Sequence, residues 1–456
     1  MVMEWLRAAD DLLWGPGTLA LLVGTGAFLT LRTRFLPWRN LGYALRAALG
    51  REARVRGRDG DVTPFASLMT ALAATIGTGN IVGVATALVA GGPGALVWME
   101  LAALPGLSTK LAECLLAVKF RRRNRRGEMS GGPMYVMRDG LGRPGAVMGA
   151  AYALFAVCSS FGIGGMAQAN SIAGALEASF GVPVRITGLV TAGLALAVIL
   201  GGVKSVARAS AAVVPVMAAL YLGAALAVLW GCRANLPAGI VQILRCAVSP
   251  RAAAGGAAGT LMNTVRWGVA RGVFSNEAGM GSAGISAASA ATTSPARQGY
   301  IGMTGAFFDT CVVCTVTGLA ICCSGVLGTA DAAGNAVDGA ALTILAFRSV
   351  LGPAGGLLVS VSIVLFAFTS ILGGAYQGEK AFEYLFGTRR VLLYRLAFVL
   401  AAAWGAAAEL EAVFRFSDIC NALMCLPNLL CLLLLSGLTA RELEAFQPEV
   451  RRRRKT

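Results

Sequence analysis

Gly77-Thr78-Gly79-Asn80, with Gly83 just beyond, and Ser275-Asn276-Glu277-Ala278-Gly279-Met280-Gly281-Ser282 each fall inside a long apolar stretch. Glycine in a helix interior costs about 1 kcal/mol relative to alanine, and both clusters mix glycine with polar side chains. Two readings compete. Small residues let membrane helices pack closely, which explains the glycines alone. Backbone that leaves the helix is the other, tolerated in a bilayer only where protein buries it or it lines a cavity. Packing does not require Asn80, Asn276 or Glu277, so the second reading accounts for more of the sequence.

The chain around these clusters is built for lipid. Of its 456 residues, 56% are hydrophobic and 14% charged, against roughly a quarter charged in soluble domains. Apolar runs of about 20 residues, enough to cross some 30 Å of hydrocarbon, recur throughout. They predict an all-α polytopic membrane protein of about eleven transmembrane helices: 16–31, 64–90, 95–118, 146–176, 183–202, 210–230, 258–284, 300–323, 354–373, 391–408 and 412–436. The first run follows Glu4, Asp10 and Asp11, without a basic flank or an evident small-residue cleavage site, which argues against a signal peptide.

A formal charge of +16 would suggest nucleic acid for a soluble protein. Here the arginines crowd Arg32–Arg58, Arg121–Arg126 and Arg451–Arg454, short connections between apolar runs. That is the positive-inside pattern. The expected surroundings are therefore membrane lipid of the cell (inner) membrane, with no nucleic acid and no obligate protein partner inferred. The same rule places the N-terminus outside and the C-terminus in the cytoplasm. Histidine is absent, which removes the commonest metal ligand and the usual proton carrier near neutral pH. Of 11 cysteines, most lie in apolar runs and read as small hydrophobes, the Cys311–Cys314 pair included. Cys232 and Cys246 share one predicted external loop, where a disulfide is open.

Setting the first span aside, the interrupted helices are the first and sixth of the remaining ten. Two five-helix halves would each begin with a broken helix, the second half inverted. Paired interruptions of this kind point to a transporter binding site. The expected organisation is an N-terminal helix with a basic segment (1–62), a ten-helix core (63–436, repeats 63–231 and 258–436) and a basic tail (437–456). No direct sequence repeat is evident, so the symmetry rests on span order. A channel would show a repeated pore loop, and an intramembrane enzyme a nucleophile with its base. Neither pattern appears, and no enzymatic activity is expected.

At these residues the chain resembles the alanine or glycine:cation symporters. The matching stretches are TALAATIGTGNIVGVATALVAGGPGALVW from Thr70, SGGPMYVMRDGLG from Ser130, FGIGGMAQANSIA from Phe161, WGVARGVFSNEAGMGSAGI from Trp267, RQGYIGMTGAFFDTCVVCTVT from Arg297 and FTSILGGAYQGEKAFEYLFG from Phe368. The resemblance implies a LeuT-like 5+5 inverted repeat with one extra N-terminal helix and discontinuous first and sixth core helices. It implies a sodium-coupled symporter for small neutral amino acids, with Na+ as the coupling ion; a proton-coupled amino acid transporter is the alternative.

An amino acid in a membrane presents a carboxylate and an ammonium. Amides freed at a half-helix N-terminus suit the carboxylate, here those of Thr78 and Gly79 beside Gly77. Carbonyls freed around Phe274 and Ser275, next to Asn276, suit the ammonium. Gln168 looks like the family's polar substrate contact, though an interhelical hydrogen bond explains it equally. By the same resemblance, Thr369 and Ser370 join the carbonyls of Ala73 and Ile76 to hold one sodium, unless they only bond back to their own helix. Asn80 resembles a second-site or gating residue. Of the intramembrane acids, Glu113 reads as an ion pair with Lys110, one turn away. Glu277 could brace its break by accepting backbone N–H groups, or pair with Arg271. Either Glu277 or Asp309 could carry a proton.

One departure concerns specificity. Where the family commonly has Trp-Ser-Tyr-Tyr-Gly-Glu, this chain reads Gly374-Ala375-Tyr376-Gln377-Gly378-Glu379. A missing indole would leave extra volume at Gly374 for a side chain such as glutamine or serine. Gly165, where the family often has Asn, is a second departure.

Overall fold

The computed structural model describes residues 2–55, 57, 59–248, 261–331, 334–408 and 411–454. They are almost wholly helical. The first half runs α1 Val2–Leu13, α2 Pro16–Arg32, α3 Leu36–Arg39, α4 Leu41–Leu49, α5 Pro64–Thr75, α6 Val82–Gly91, α7 Ala95–Lys119, α8 Pro133–Ser159, α9 Ala167–Phe180, α10 Val184–Leu200 and α11 Gly202–Gly231. The second runs α12 Leu236–Val248, α13 Leu261–Asn276, α14 Ser282–Ala288, α15 Pro295–Ala306, α16 Thr315–Ser324, α17 Gly339–Leu351, α18 Pro353–Phe386, α19 Val391–Gly405, α20 Glu411–Leu434 and α21 Ser436–Arg454. A two-residue antiparallel pairing, Arg122–Arg123 with Met129–Ser130, ties the basic loop after α7.

Seven helical stretches are long and apolar enough to cross a membrane, and the bent pair Pro64–Thr75 and Thr78–Gly91 makes an eighth. The other three expected spans fall on α10, α19 and the broken α13–α14, whose predicted start at 258 lies outside the described residues. At 1.5 Å per residue α10 reaches about 25 Å, short of a full crossing, so length alone does not count eleven. Helices outside the expected spans include α1 and α4 before the core and, within it, α12 and α17, each of 13 residues. The basic tail is also helical: α21 docks on the N-terminal segment through Asn40 and Gln447 (3.1 Å) and the Tyr43–Phe446 ring contact. Cys232 and Cys246 are both free thiols.

Burial sorts the helices. In α7, 78% of the most apolar stretch is buried, against 33% in α11. α7 is thus the central post, and its neighbours approach closely because they carry glycine: a Cβ at Gly268 of α13 would sit 2.4 Å from the Ala95 carbonyl oxygen. Outward faces expose Leu189, Leu194, Leu393, Leu400 and Trp404. Soluble monomers do not present so much contiguous apolar surface; hydrocarbon accepts it.

Candidate functional site

Both glycine–polar clusters break their helices. α5 ends at Thr75, Ile76 and Gly77 are extended (ψ 91 and −151), and a single 3-10 turn spans Thr78–Asn80 before α6. The two halves meet at 61°. The Asn80 side chain makes the break: its Oδ1 accepts the Gly77 amide at 3.0 Å, while the Asn80 amide turns to the Gly77 carbonyl. The carbonyls of Ala73 and Ile76 are thereby deprived of their helical donors. Among the described residues, the amides of Thr78 and Gly79 donate to no protein acceptor.

The second break needs left-handed backbone at Glu277 (φ 52), Gly279 (φ 102) and Gly281 (φ 80). Two charged side chains of α7 hold it open. Lys110 Nζ donates to the Asn276 carbonyl at 2.6 Å, capping the C-terminal end of α13. Glu113 Oε1 accepts the amides of Gly279 (2.9 Å) and Gly281 (3.0 Å) and the Asn428 side-chain amide (2.9 Å). Cation on a helix C-terminus and anion on a helix N-terminus both complement the helix dipole. This corrects the sequence reading: among the described residues no ion pair joins Lys110 to Glu113, and Glu113 performs the bracing expected of Glu277. Glu277 instead accepts a short hydrogen bond from Ser282 Oγ, while the Arg271 guanidinium lies over the rings of Trp267 and Phe274. Because the Ala278 amide turns to Asn276 Oδ1 and the Gly279 amide to Glu113, the carbonyls of Phe274 and Ser275 lose their helical partners.

The breaks face each other. A Cβ at Gly79 would lie 3.6 Å from Ser275 Cα and 3.8 Å from the Phe274 ring. Asp309 joins them from the π-helical turn Phe307–Cys314: Oδ1 accepts Asn80 Nδ2 at 2.7 Å, and Oδ2 accepts Ser275 Oγ and Thr310 Oγ1, both at 2.9 Å. Asn276 Nδ2 donates to Thr310 Oγ1 at 3.1 Å. The Asn80 amide N–H and the Ser275 and Thr310 hydroxyls all converge on this fully buried carboxylate, whose oxygens and neighbouring hydroxyl oxygens are of the hard type that alkali cations take.

On the other flank of the first break stand α18 and the π-turn between α8 and α9. Ser370 abuts Gly77, whose missing Cβ would come 2.5 Å from Ser370 Oγ. Ser370 Oγ and Thr369 Oγ1 both donate to the Phe366 carbonyl, and Thr369 also touches Met217 Sδ at 3.3 Å. Thr78 Oγ1 lies 3.3 Å from Gln168 Oε1. A cavity of about 60 Å³ opens here, lined by Gln168, Ser370, Gly374, Gln377, Glu277 and Asn421 among others. Gln377 and Asn421 carried no sequence signal beyond being polar in apolar runs. Gly374 lines this cavity, and a Cβ there would lie 2.8 Å from Gly164 Cα, so the two backbones pack too closely for a side chain at 374.

The comparisons accord with this architecture. The family model described as the sodium:alanine symporter family matches residues 1–456. The chain is 47% identical over 452 residues to the sodium/alanine symporter AgcS of Methanococcus maripaludis, covering 98% of this chain and 97% of that protein. It is 34% identical over 440 residues to the probable sodium/glutamine symporter GlnT of Bacillus subtilis, covering 96% and 89%. Among solved structures, MhsT in complex with L-phenylalanine aligns with a TM-score of 0.58 at 13% identity, over 85% of this chain and 99% of that one. That last likeness is one of fold, the LeuT type. With its whole length matched and its relatives alike from end to end, the chain belongs to the sodium:alanine symporter family.

Proposed function

We propose that this protein is a sodium-coupled symporter that imports a small neutral amino acid by alternating access, through a ten-helix core of two inverted five-helix repeats behind one extra N-terminal helix. The observation that carries the reading is the opposition of the two breaks: unpaired Thr78 and Gly79 amides on one side, the Phe274 and Ser275 carbonyls on the other. The amides receive the carboxylate and the carbonyls the ammonium, with Gly77, Gln168 and Asn276 completing the site. One sodium sits with the carbonyls of Ala73 and Ile76 and the hydroxyls of Thr369 and Ser370. A second is held beside Asn80 and Asp309.

Alanine or glycine is the proposed cargo, in line with the sodium/alanine symporter to which the chain is 47% identical. Relatives named for sodium/alanine and sodium/glutamine symport support sodium as the driving ion. The cavity beside the first break is lined by Tyr152, Ile285 and Gln377 as well, residues that the proposed topology, with the arginine-rich loops in the cytoplasm, puts toward the inner side. We read it as an inward-facing path.

Uptake of labelled alanine into proteoliposomes tests this. An inward sodium gradient should drive accumulation, and a proton uncoupler at fixed sodium should leave it unchanged. Equal uptake from sodium-free buffer would end the claim of coupling.

A further inference from the structure

We infer that the cleft between the C-terminal end of α2 and the docked helix α21 binds the phosphate of an anionic phospholipid. Arg32, Arg34 and Arg441 line it together with Gly437, Ala440 and Glu444, around about 410 Å³ open to water centres. Three guanidiniums against one carboxylate leave the cleft net positive by two. The charges are little used within the protein. Arg34 and Glu444 stand 3.8 Å apart with side chains 81% and 52% exposed, and Arg32 and Arg441 make no side-chain hydrogen bond or ion pair among the described residues. All three are exposed, and they line one concavity from two separate segments.

The apolar surface beneath identifies the ligand as amphipathic. Phe28, Leu31 and Phe35 are 43%, 64% and 49% exposed at the same end of α2, so acyl chains have a surface directly below the charges. Arg34 and Phe35 also hold left-handed backbone (φ 53 and 58), a costly conformation for such residues. It turns the chain sharply at the membrane edge. Fork-shaped guanidiniums recognise phosphate oxygens by paired hydrogen bonds, and basic clefts at helix ends bind acidic headgroups. Inorganic phosphate shares the headgroup's charge but lacks the chains.

The test is binding of dioctanoyl phosphatidylglycerol to the purified full-length protein, followed by native mass spectrometry and thermal shift. Dioctanoyl phosphatidylcholine and inorganic phosphate serve as comparison ligands. Phosphatidylglycerol should bind and stabilise while the other two do not. Arg32→Gln with Arg441→Gln should weaken it about thirtyfold, at about fivefold per arginine near a membrane surface. Glu444→Gln should tighten it severalfold, a gain that a misfolded variant would not produce. Arg389→Gln with Arg390→Gln, which removes equal charge from another loop, should change it little. Equal protection by inorganic phosphate, equal loss in that control pair, or no tightening in Glu444→Gln would each overturn the assignment.

Discussion

The two helix breaks solve one problem by opposite means. At Ile76–Ile81 the segment caps itself: Asn80 takes the Gly77 amide, every described torsion at Ile76, Gly77 and Ile81 has negative φ, and the Thr78 and Gly79 amides stay unspent. At Glu277–Gly281 three consecutive odd-numbered residues adopt positive φ. A non-glycine residue in that region costs about 1–2 kcal/mol, and the cost is met from outside by Lys110, Glu113, Asn428 and the Tyr152 hydroxyl, which donates to the Met280 carbonyl at 2.9 Å. Hydrogen bonds to a charged group contribute about 1.5–3 kcal/mol each, so Glu113 alone offsets the strain. The first break is therefore locally determined and open to a ligand; the second is a clamped hinge.

The largest test of that difference is Glu113→Ala. It strips three donors of their acceptor in a buried site and should cost about 3–5 kcal/mol, seen as a large drop in melting temperature and loss of alanine uptake. Glu113→Gln keeps one acceptor oxygen and should recover part of the stability. If Glu113→Ala melts like wild type, the second break does not depend on its clamp.

Gly374→Ala comes next. Its Cβ meets the Gly164 backbone at 2.8 Å, and such overpacking costs about 1–3 kcal/mol. Competition assays should show weakened transport with the order of preferred amino acids unchanged. A shifted preference would mean that position 374 sets the room for the substrate's side chain.

Asn80→Ala removes the acceptor of the Gly77 amide and one donor to Asp309, at a cost of about 1–3 kcal/mol. The fold should survive while the sodium dependence of uptake moves to higher concentration. A stability loss as large as that of Glu113→Ala would erase the contrast between the breaks.

The smallest effect is in hydrogen exchange. Amides of Thr78 and Gly79 should exchange faster than those of Gly279 and Gly281, and sodium with alanine should slow the first pair alone. Equal protection in the absence of ligand would mean that the first break's amides are already engaged.

Both breaks were legible because glycine and polar side chains mixed in apolar runs leave few structural readings. Their mutual approach was legible only through span order. Lys110 and Glu113 misled because residues three apart on a helix commonly pair, and the sequence does not show that each has a better partner 166 or more positions away. Glu277 misleads for the converse reason: its place inside the break makes it the natural brace on sequence alone. Gly374 could be read only as a missing side chain, since the matching glycine at 164 lies on a distant helix. α12 and α17 are hard to read because 13 mostly apolar residues interrupted by Arg245 or Arg348 suit neither a span nor a loop.

The account rests on the first break holding a carboxylate with backbone amides, and competition binding tests it most directly. Purified protein in saturating sodium would be equilibrated with labelled alanine and challenged with unlabelled alanine or alaninamide, which keeps the ammonium and the methyl group but lacks the carboxylate. Displacement by alanine with almost none by alaninamide is the predicted result; equal displacement by both would contradict it.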